Sequence, residues 1–539
     1  MRDTFLFLCA ETALDTQKLS KLIFRPATSA WIWFLERLSL SAFADARAIP
    51  SGTTFETDIA IVGAGAAGIT LALSLARKSL RVLLLESGGG AFDSRTQALY
   101  AGTQTGVPYL KLSASRMRFL GGSTNHWGGW SRPLDVSDFE ARPWLAHSGW
   151  PFPRSEIEPY FPHAQAWIEA GPLVYDNDKS WFDTFGAPLS LGGGGVYTSF
   201  FQFSKMRGSV LPTNFGERYA ADLKHEPNLS MLLRANVTNI ALAHDAQSVD
   251  HLKVATLSGR NFTVRPKYTV LATGGIENAR MLLASNDVMP QGIGNGNDLV
   301  GRFFADHAIP RDTATLVLFD GNLASYYQNN QTDKDGTIFR AALAPTEAFK
   351  REHQILGSLA TIENSVQLDD LGKAAVATTA SSLNVDASNA KMLSVGCGFE
   401  LSPDPDRRLM LTRERDALGM PRLQLHMTLA DSDYQSYRAT LKELGRQLLE
   451  SRIGMIRLDR ATRDEWLSVM DWGNHHMGTT RMSADPKAGV VDPNSQVFGV
   501  GNLYVAGSSI FPTYGASNPT MNLVALTLRL ANHLKGLFA

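Results

Sequence analysis

A strand–turn–helix–strand pattern near the start of the chain constrains its fold more than any other feature. Residues 59–62 are a short apolar run rich in β-branched side chains, and the glycine-rich turn 63–68 and an apolar helical stretch follow it. In such a turn Gly63 permits the tight bend, Gly65 lets the backbone approach a diphosphate, and Gly68 lets helix and strand pack closely. The free N–H groups at the start of the helix then favour an anion.

The second strand of this unit ends in a carboxylate. Residues 81–86 read as a buried strand whose last residue is Glu86, at about the distance from the glycines expected of a group that binds ribose hydroxyls. Strand, helix and terminal acid together predict dinucleotide binding, although NAD and FAD share this fingerprint. Downstream, Phe119-Leu-Gly-Gly-Ser-Thr-Asn-His-Trp127 places His126 just beyond a second glycine turn, which favours a flavin.

Five segments together resemble the glucose-methanol-choline (GMC) oxidoreductase family. They are the fingerprint at 63–68, Gly-Gly-Ser-Thr at 121–124, residues 299–307, His-His-Met-Gly-Thr at 475–479 and Ser-Asn-Pro-Thr at 517–520. The resemblance runs from about Phe55 to the C-terminus and is greatest to the pyranose oxidase and bacterial sugar dehydrogenase branch. It implies an α/β fold, in which an FAD-binding Rossmann-like domain with a mostly parallel sheet is interleaved with an α+β substrate domain on an antiparallel sheet.

The resemblance and the strand–turn–helix rhythm predict how the chain divides. We expect an N-terminal extension over 1–54, three parts of the FAD-binding domain over 55–150, 228–310 and 473–539, and two parts of the substrate domain over 151–227 and 311–472. Residues 200–203 and 422–426 alternate with a period of two, as strands of the substrate domain would. The run Gly192 to Gly195 reads as a loop.

Composition limits the possible partners. The chain of 539 residues has 51 basic and 52 acidic side chains, so it has no basic field for nucleic acid. Its two cysteines, Cys9 and Cys397, exclude a cysteine-ligated iron–sulfur cluster or a haem-attachment motif within the chain. An onward electron carrier is therefore a separate molecule, and we expect no metal site. One sequence leaves oligomerisation open.

The first fifty residues predict little. The apolar stretches 4–10 and 26–35 are shorter than the ~20 residues that span a bilayer. Ala42-Phe43-Ala44 imitates a signal-peptide cleavage site, but Glu36 and Arg37 interrupt the apolar run before it. We expect a helical extension or an upstream start codon, no transmembrane helix, and a cytoplasmic protein.

The C-terminal motifs carry the predicted catalysis. In the family, the His of the His-x-x-Gly-Thr pattern faces the flavin, and this spacing selects His475, with His476 as the alternative. A neutral imidazole can take the hydroxyl proton while hydride leaves the alcohol carbon. Asn518 stands where family members carry His or Asn, but it also precedes Pro519 at the start of a helix, so helix capping is an equally direct explanation.

His126 could bind FAD in two ways. Its position four residues past Gly122 matches the place where pyranose oxidase and choline oxidase bond a histidine to the flavin 8α-methyl, while similar segments in bacterial sugar dehydrogenases do not assure such a bond. Both a covalent and a non-covalent contact stay open. The other predicted cofactor contacts, besides the glycines and Glu86, are Gly122, Ser123, Asn125, Val237, Gly507, Pro519 and Thr520.

The resulting functional prediction is an FAD-dependent oxidoreductase that oxidises a CH–OH group of a sugar, polyol or glycoside, with His475 as base. Oxygen, a quinone or a protein could accept the electrons. The alternatives are a quinone- or protein-linked dehydrogenase subunit for a non-sugar alcohol, and a binding protein that keeps the flavin fold without catalysis. The presence of both His475 and Asn518 argues against the binding protein.

Overall fold

The unit predicted near the start of the chain is present in the structure, a computed structural model that describes residues 43–77, 80–175, 188–206 and 212–538. Strand Thr54–Val62 leads into helix α1 (Ala66–Ala76), and strand Val82–Glu86 follows. Every residue of Val82–Glu86 is buried, as expected of a parallel strand that is covered on both faces. These apolar segments therefore form the centre of a sheet.

The first sheet has eight strands and is parallel over most of its width. Only the two pairs made by strand Val249–Ala255 are antiparallel. In spatial order the strands are Phe43–Asp45, Leu229–Leu233, Val82–Glu86, Thr54–Val62, Asn261–Leu271, Val249–Ala255 and Asn236–Leu242, and Leu503–Val505 also pairs with Asn261–Leu271. The predicted mostly parallel sheet is confirmed, and its strands come from three separate stretches of the chain.

The second sheet has ten strands, and all of its pairs are antiparallel. Its main path runs Gly454–Leu458, Ala314–Leu318, Lys391–Phe399, Ser358–Ser365, Ile338–Pro345, Val196–Phe203 and Trp130–Ser131, with Ala308–Pro310, Gln331–Thr332 and Met470–Trp472 attached beside it. The predicted antiparallel sheet is confirmed. The domain boundaries stay predictions: Trp130–Ser131 and Ala308–Pro310 join this sheet, and Phe43–Asp45 joins the first.

A small third sheet joins distant parts of the chain. Strand Pro421–Met427 pairs antiparallel with Arg408–Arg415 and parallel with Gly102–Gly106. The alternating pattern at 422–426 therefore does form a strand, in this sheet instead of the large antiparallel one. Residues 192–195 lie in no helix or strand, as predicted.

Three helices begin beside the same edge of the parallel sheet. Helices α1 and α2 (Gly274–Ala284) each follow directly on a parallel strand, and α3 (Pro519–Gly536) packs against α1. Their N-termini carry unpaired N–H groups and the positive ends of the helix dipoles. The other described α-helices are Ser94–Gln97, Val136–Phe139, Phe161–Trp167, Phe215–Arg218, Ala220–His225, Ser325–Gln328, Glu347–His353, Asp370–Ser382, Asp431–Glu450 and Arg463–Leu467.

The N-terminal predictions concern residues that the structure does not describe. Residues 1–42, with both apolar stretches, the interrupting charges and Cys9, lie outside the described ranges. Among residues 43–538, apart from the gaps stated above, no helix is both long and apolar enough to span a bilayer. Cys397 is buried, and burial raises the pKa of its thiol, so this side chain is an inert part of the core.

Candidate active site

One cavity collects nearly all of the predicted site residues. It has a volume of about 260 Å³ and lies along the carboxyl edge of the parallel sheet. This edge is where α/β sheets bind their ligands. The predicted residues that line it are Gly63, Gly65, Glu86, Gly122, Ser123, His126, Val237, His475, Gly507, Asn518, Pro519 and Thr520.

Two of the three fingerprint glycines occupy positions that a larger residue could not, and the third faces open space. Gly63 has φ +103°, and a Cβ there would lie 2.6 Å from the Ala272 carbonyl oxygen. A Cβ on Gly68 would lie 1.8 Å from the Gly63 oxygen, so strand and helix touch at this point. At Gly65 the nearest atom to a Cβ would be the Cα of Gly122 at 4.0 Å, because this residue faces the cavity. The three roles predicted for these glycines fit their surroundings.

Glu86 is buried at the end of its strand and points into the cavity. Its carboxylate accepts the N–H of Ala64 at 2.9 Å and that of Gly88 at 2.7 Å. Both bonds fix the side chain, and the lone pairs that are left can accept ribose hydroxyls. Val237 is buried on the neighbouring wall of the same cavity.

The second glycine turn is held by Asn125. Gly122 has φ +54°, and the Asn125 amide donates to the Gly122 oxygen at 2.7 Å and to the Leu120 oxygen at 3.0 Å. Its own oxygen accepts from Asn214. Unlike Ser123, Asn125 does not line the cavity. The cofactor contact predicted for Asn125 stays a prediction, and what the structure describes is a side chain that stabilises the turn through the carbonyls of Leu120 and Gly122.

Open backbone positions show that the cavity fits a dinucleotide. Gly274 (φ +88°) and Gly507 (φ +111°) both line it, and a Cβ on either would meet no atom within 4 Å. Helix α3 begins at Pro519 and has no side-chain cap, so its N–H groups are free to face a ligand. A dinucleotide such as FAD requires open glycine backbone, a fixed carboxylate that accepts ribose hydroxyls, and helix N-termini that donate to its diphosphate. The cavity provides all three.

The predicted catalytic residues meet in this cavity. The Nδ2 atom of Asn518 lies 3.1 Å from Nε2 of His475, although 43 residues separate them. Asn518 occupies the N-cap position of α3, yet its side chain makes no capping hydrogen bond. Capping, the alternative explanation for this residue, is therefore absent from the structure, and the amide is directed at the imidazole.

A third histidine determines which nitrogen of His475 carries the proton. His307 Nε2 lies 3.0 Å from the Gly515 oxygen, and its Nδ1 lies 2.7 Å from Nδ1 of His475. A carbonyl only accepts, so His307 carries its proton on Nε2. Burial lowers the pKa of His307 to about 4, so its Nδ1 is bare and accepts from His475 Nδ1–H. Nε2 of His475 is then an unprotonated acceptor that faces Asn518.

Asp306 holds the backbone of His475. Its carboxyl accepts the N–H of His475 at 2.8 Å and the hydroxyl of Tyr109 at 2.5 Å. All three residues are buried or nearly so, and burial raises the pKa of Asp306 to about 7 despite these hydrogen bonds. The imidazole is therefore fixed both through its ring and through its main chain.

The neighbouring His476 has a different environment. Its Nε2 is buried with no hydrogen-bond partner among the described residues, and its ring also borders the cavity. Burial lowers the pKa of both histidines, to about 3 for His476 and well below the usual 6.5 for His475. Both imidazoles are neutral, but only His475 has its tautomer set and an amide placed against its free nitrogen.

Sequence reasoning missed three residues of this arrangement. Asp306 and His307 stand in one of the recognised motifs, but no role was predicted for them, and Tyr109 was not singled out. His307 and His475 lie 168 residues apart. The only signal was an acid–histidine pair within a motif, which does not tell which side chain it will contact.

Comparison with known proteins agrees with this geometry. Residues 403–527 match the family model described as GMC oxidoreductase, and residues 58–184 match that described as FAD dependent oxidoreductase. The fructose dehydrogenase large subunit of Gluconobacter japonicus is 25% identical, over 89% of this chain and 98% of its own length. The C-glycoside 3-oxidase of Microbacterium trichothecenolyticum is 27% identical, over 57% of this chain and 54% of its own.

The fold also matches solved structures. A formate oxidase of Aspergillus oryzae superposes with a TM-score of 0.56 at 16% identity, covering 90% of this chain and 99% of the other. At that identity the likeness concerns the fold alone. The two family models cover the nucleotide fingerprint at one end and the His475–Asn518 region at the other. The predicted resemblance to GMC oxidoreductases is thus confirmed over these two stretches, and the chain is an FAD-dependent oxidoreductase.

Proposed function

We propose that the chain oxidises a CH–OH group of a sugar, glycoside or polyol, with His475 as the general base and Asn518 as the second polar group at the substrate oxygen. The observation that carries this proposal is the hydrogen-bonded series Gly515–His307–His475–Asn518, which ends in an unprotonated Nε2 at the cavity. Bound FAD supplies the hydride acceptor. The side chains supply proton removal and orientation.

The hydrogen bonds indicate how a hydroxyl would be received. A substrate O–H would replace the Asn518 amide as the donor to Nε2 of His475, and that amide would then donate to the substrate oxygen. As hydride leaves the carbon, the hydroxyl proton passes to Nε2. The resulting imidazolium donates from Nδ1 to His307, whose own N–H is held by the Gly515 carbonyl. A positioned base of this kind contributes roughly 10²–10⁴-fold to a rate.

The substrate class is supported by what the relatives' names say. A fructose dehydrogenase subunit is matched over nearly its whole length, and a C-glycoside 3-oxidase over half of its own. Both names denote oxidation of sugars or glycosides, and this chain shares the family with them. We extend that class to this chain.

An anaerobic substrate screen tests the proposal. Holoenzyme is mixed with hexoses, glycosides, polyols and simple alcohols without oxygen, and bleaching of the flavin absorbance is recorded for each. We expect sugars or glycosides to bleach it at lower concentrations than simple alcohols do. Bleaching by simple alcohols alone would refute the substrate class, and no bleaching by any CH–OH compound would refute the proposed reaction.

A dehydrogenase that passes electrons to a quinone or protein is the second candidate. It is favoured by the match to a dehydrogenase subunit over 98% of that subunit's length. Reduced enzyme mixed with oxygen or with a soluble quinone separates the two. Reoxidation at least tenfold faster by quinone than by air-saturated buffer supports a dehydrogenase, and the reverse order supports an oxidase.

We also propose that His126 contacts the flavin, in one of two ways. The side chain borders the cavity, and burial lowers its pKa, so the imidazole is neutral and could form a bond. Acid precipitation distinguishes the two kinds of contact. Yellow colour in the pellet that moves to the supernatant in His126→Ala indicates a bond, whereas colour in the wild-type supernatant indicates a non-covalent contact.

A further inference from the structure

Arg116 is a buried cation that forms no side-chain hydrogen bond through two of its donors. The residue is 5% exposed, and neither Nε nor Nη1 has a partner among the described residues. The side chain borders the same cavity as Gly65 and Glu86. It stands outside the Gly-Gly-Ser-Thr segment, and no sequence motif singled it out. A buried guanidinium normally has its donors satisfied, so this one needs an explanation.

The nearest acid does not satisfy Arg116. The Oε1 atom of Glu277 lies 4.0 Å from Arg116 Nη2, beyond hydrogen-bond distance. That same oxygen lies 3.0 Å from Arg280 and 3.4 Å from Arg118. These three arginines lower the pKa of Glu277 to about 2 against the effect of burial, so its carboxylate is ionised. Its hydrogen bonds go to Arg280 and Arg118, which lie closer than Arg116.

The position of Arg116 is nevertheless fixed. The side-chain amide of Gln97 donates to the Arg116 oxygen at 2.6 Å and to the Ser113 oxygen at 2.6 Å, and its oxygen accepts the N–H of Arg118 at 3.0 Å. The Tyr100 ring lies 3.8 Å from the centre of the Arg116 guanidinium. Main chain and guanidinium are both held, so the two unused donors are set in place before any ligand arrives.

A phosphate oxygen would complete this site. The diphosphate is the charged group of oxidised FAD, and arginine donates to phosphate through short, charge-assisted hydrogen bonds. Helix α1 offers only backbone N–H groups to that anion, and Gly65 opens the path to them. We propose that Arg116 binds the diphosphate of FAD as a side-chain ligand that the fingerprint does not encode.

The test compares FAD with its two halves. All variants carry His126→Ala, so that no covalent bond can hold the flavin, and apoprotein is prepared from holoenzyme that regains its flavin spectrum when FAD is returned. Affinities are measured for FAD, for ADP, which keeps the diphosphate, and for riboflavin, which has no phosphate. In Arg116→Met we expect FAD and ADP to bind at least tenfold more weakly and riboflavin to bind within twofold of the parent. Arg116→Lys should bind ADP more tightly than Arg116→Met.

Thermal melting separates ligand binding from structural support. Arg280 is the matched control, because its guanidinium bonds Glu277, Asp416 and three backbone carbonyls. Arg280→Met should lower the melting temperature of apoprotein clearly more than Arg116→Met, which loses its contacts with Tyr100 and Glu277 but no protein hydrogen bond of its side chain. Unchanged ADP affinity in Arg116→Met would overturn the proposal. If only the affinity for riboflavin fell, Arg116 would contact the flavin end of the cofactor instead of the diphosphate. The proposal would also be overturned if the Arg116→Met apoprotein melted at as low a temperature as the Arg280→Met apoprotein.

Discussion

The two ends of the cavity are built in different ways. At the nucleotide end, Gly63, Gly65 and Gly68 present backbone within one turn of the chain, and Glu86 follows two elements later. At the catalytic end, His307 and His475 come together from 168 residues apart, and the amide of Asn518 completes the group. A site that binds its ligand through backbone groups can be identified from a local sequence motif. A hydrogen-bonded series of side chains forms only when several distant segments are folded against one another.

The largest expected effect comes from filling the nucleotide end. Gly65→Val should abolish the yellow colour, because its branched side chain would enter the space that the diphosphate needs. The measurement is the ratio of flavin to protein absorbance after purification. Gly90→Val is the control: Gly90 is exposed and a Cβ there meets no atom within 4 Å, so full occupancy is expected. Full occupancy in Gly65→Val would show that this turn is not the nucleotide site.

The next effect tests the catalytic end without touching the nucleotide end. His475→Ala should keep FAD but lose roughly two to four orders of magnitude in the rate of flavin reduction, the usual contribution of a positioned base. Anaerobic stopped-flow absorbance measures that rate. His476→Ala, which removes an imidazole with no partner on Nε2, should lose much less. If His476→Ala shows the large loss of rate and His475→Ala the small one, the base is His476.

A smaller effect is expected from His307, a positioning residue. His307→Phe removes the acceptor that sets the tautomer of His475, and flavin reduction should slow at least tenfold, which is about 1.4 kcal/mol. His307→Asn can accept from His475 through its oxygen and donate to the Gly515 carbonyl through its amide, so it should recover part of the loss. Equal rates in the Phe and Asn variants, both far below wild type, would mean that His307 supports packing only.

Variants of Asn518 test whether this residue, at the N-terminus of α3, stabilises the helix or binds the substrate. Asn518→Ser should melt like the wild type, since Ser caps helices well and no capping hydrogen bond is lost. Its flavin reduction should still slow about tenfold, because the hydroxyl is too short to reach the substrate oxygen. Asn518→His should reduce faster than Asn518→Ser. A Ser variant with wild-type kinetics would leave the chemistry to His475 alone.

The smallest expected effect is that of pH. Burial lowers the pKa of His475 well below 6.5, so the base is already deprotonated at neutral pH and loses activity only when it gains a proton in more acidic solution. The flavin-reduction rate should change less than about twofold between about pH 6.5 and 8. Asp306, with a pKa raised to about 7, is the other group that titrates here, and Asp306→Asn removes it. An acid limb centred above pH 6.5 that persists in Asp306→Asn would contradict the lowered pKa.

Local patterns were enough for the elements and for the nucleotide end. The apolar run and turn at 59–68 became strand Thr54–Val62 and helix α1, and the helical stretch after Asn518 became α3. Asn125 shares a motif with residues that line the cavity, but its own side chain turns back onto the carbonyls of Leu120 and Gly122. A motif identifies a segment, but the direction of each side chain depends on its neighbours in space.

The sequence by itself determined that this chain binds a dinucleotide at a parallel sheet, and it singled out His475 and Asn518 as the candidate catalytic residues. The glycine spacing, the apolar strands and the terminal acid form a local pattern, so they can be interpreted from the sequence without the tertiary structure. Only the tertiary structure decided that Asn518 is directed at His475 and makes no cap, that His307 leaves Nε2 of His475 bare, and that Arg116 is buried with donors to spare. Tautomer, burial and unmet hydrogen bonds are properties of an environment, and that environment is assembled from segments far apart in the chain.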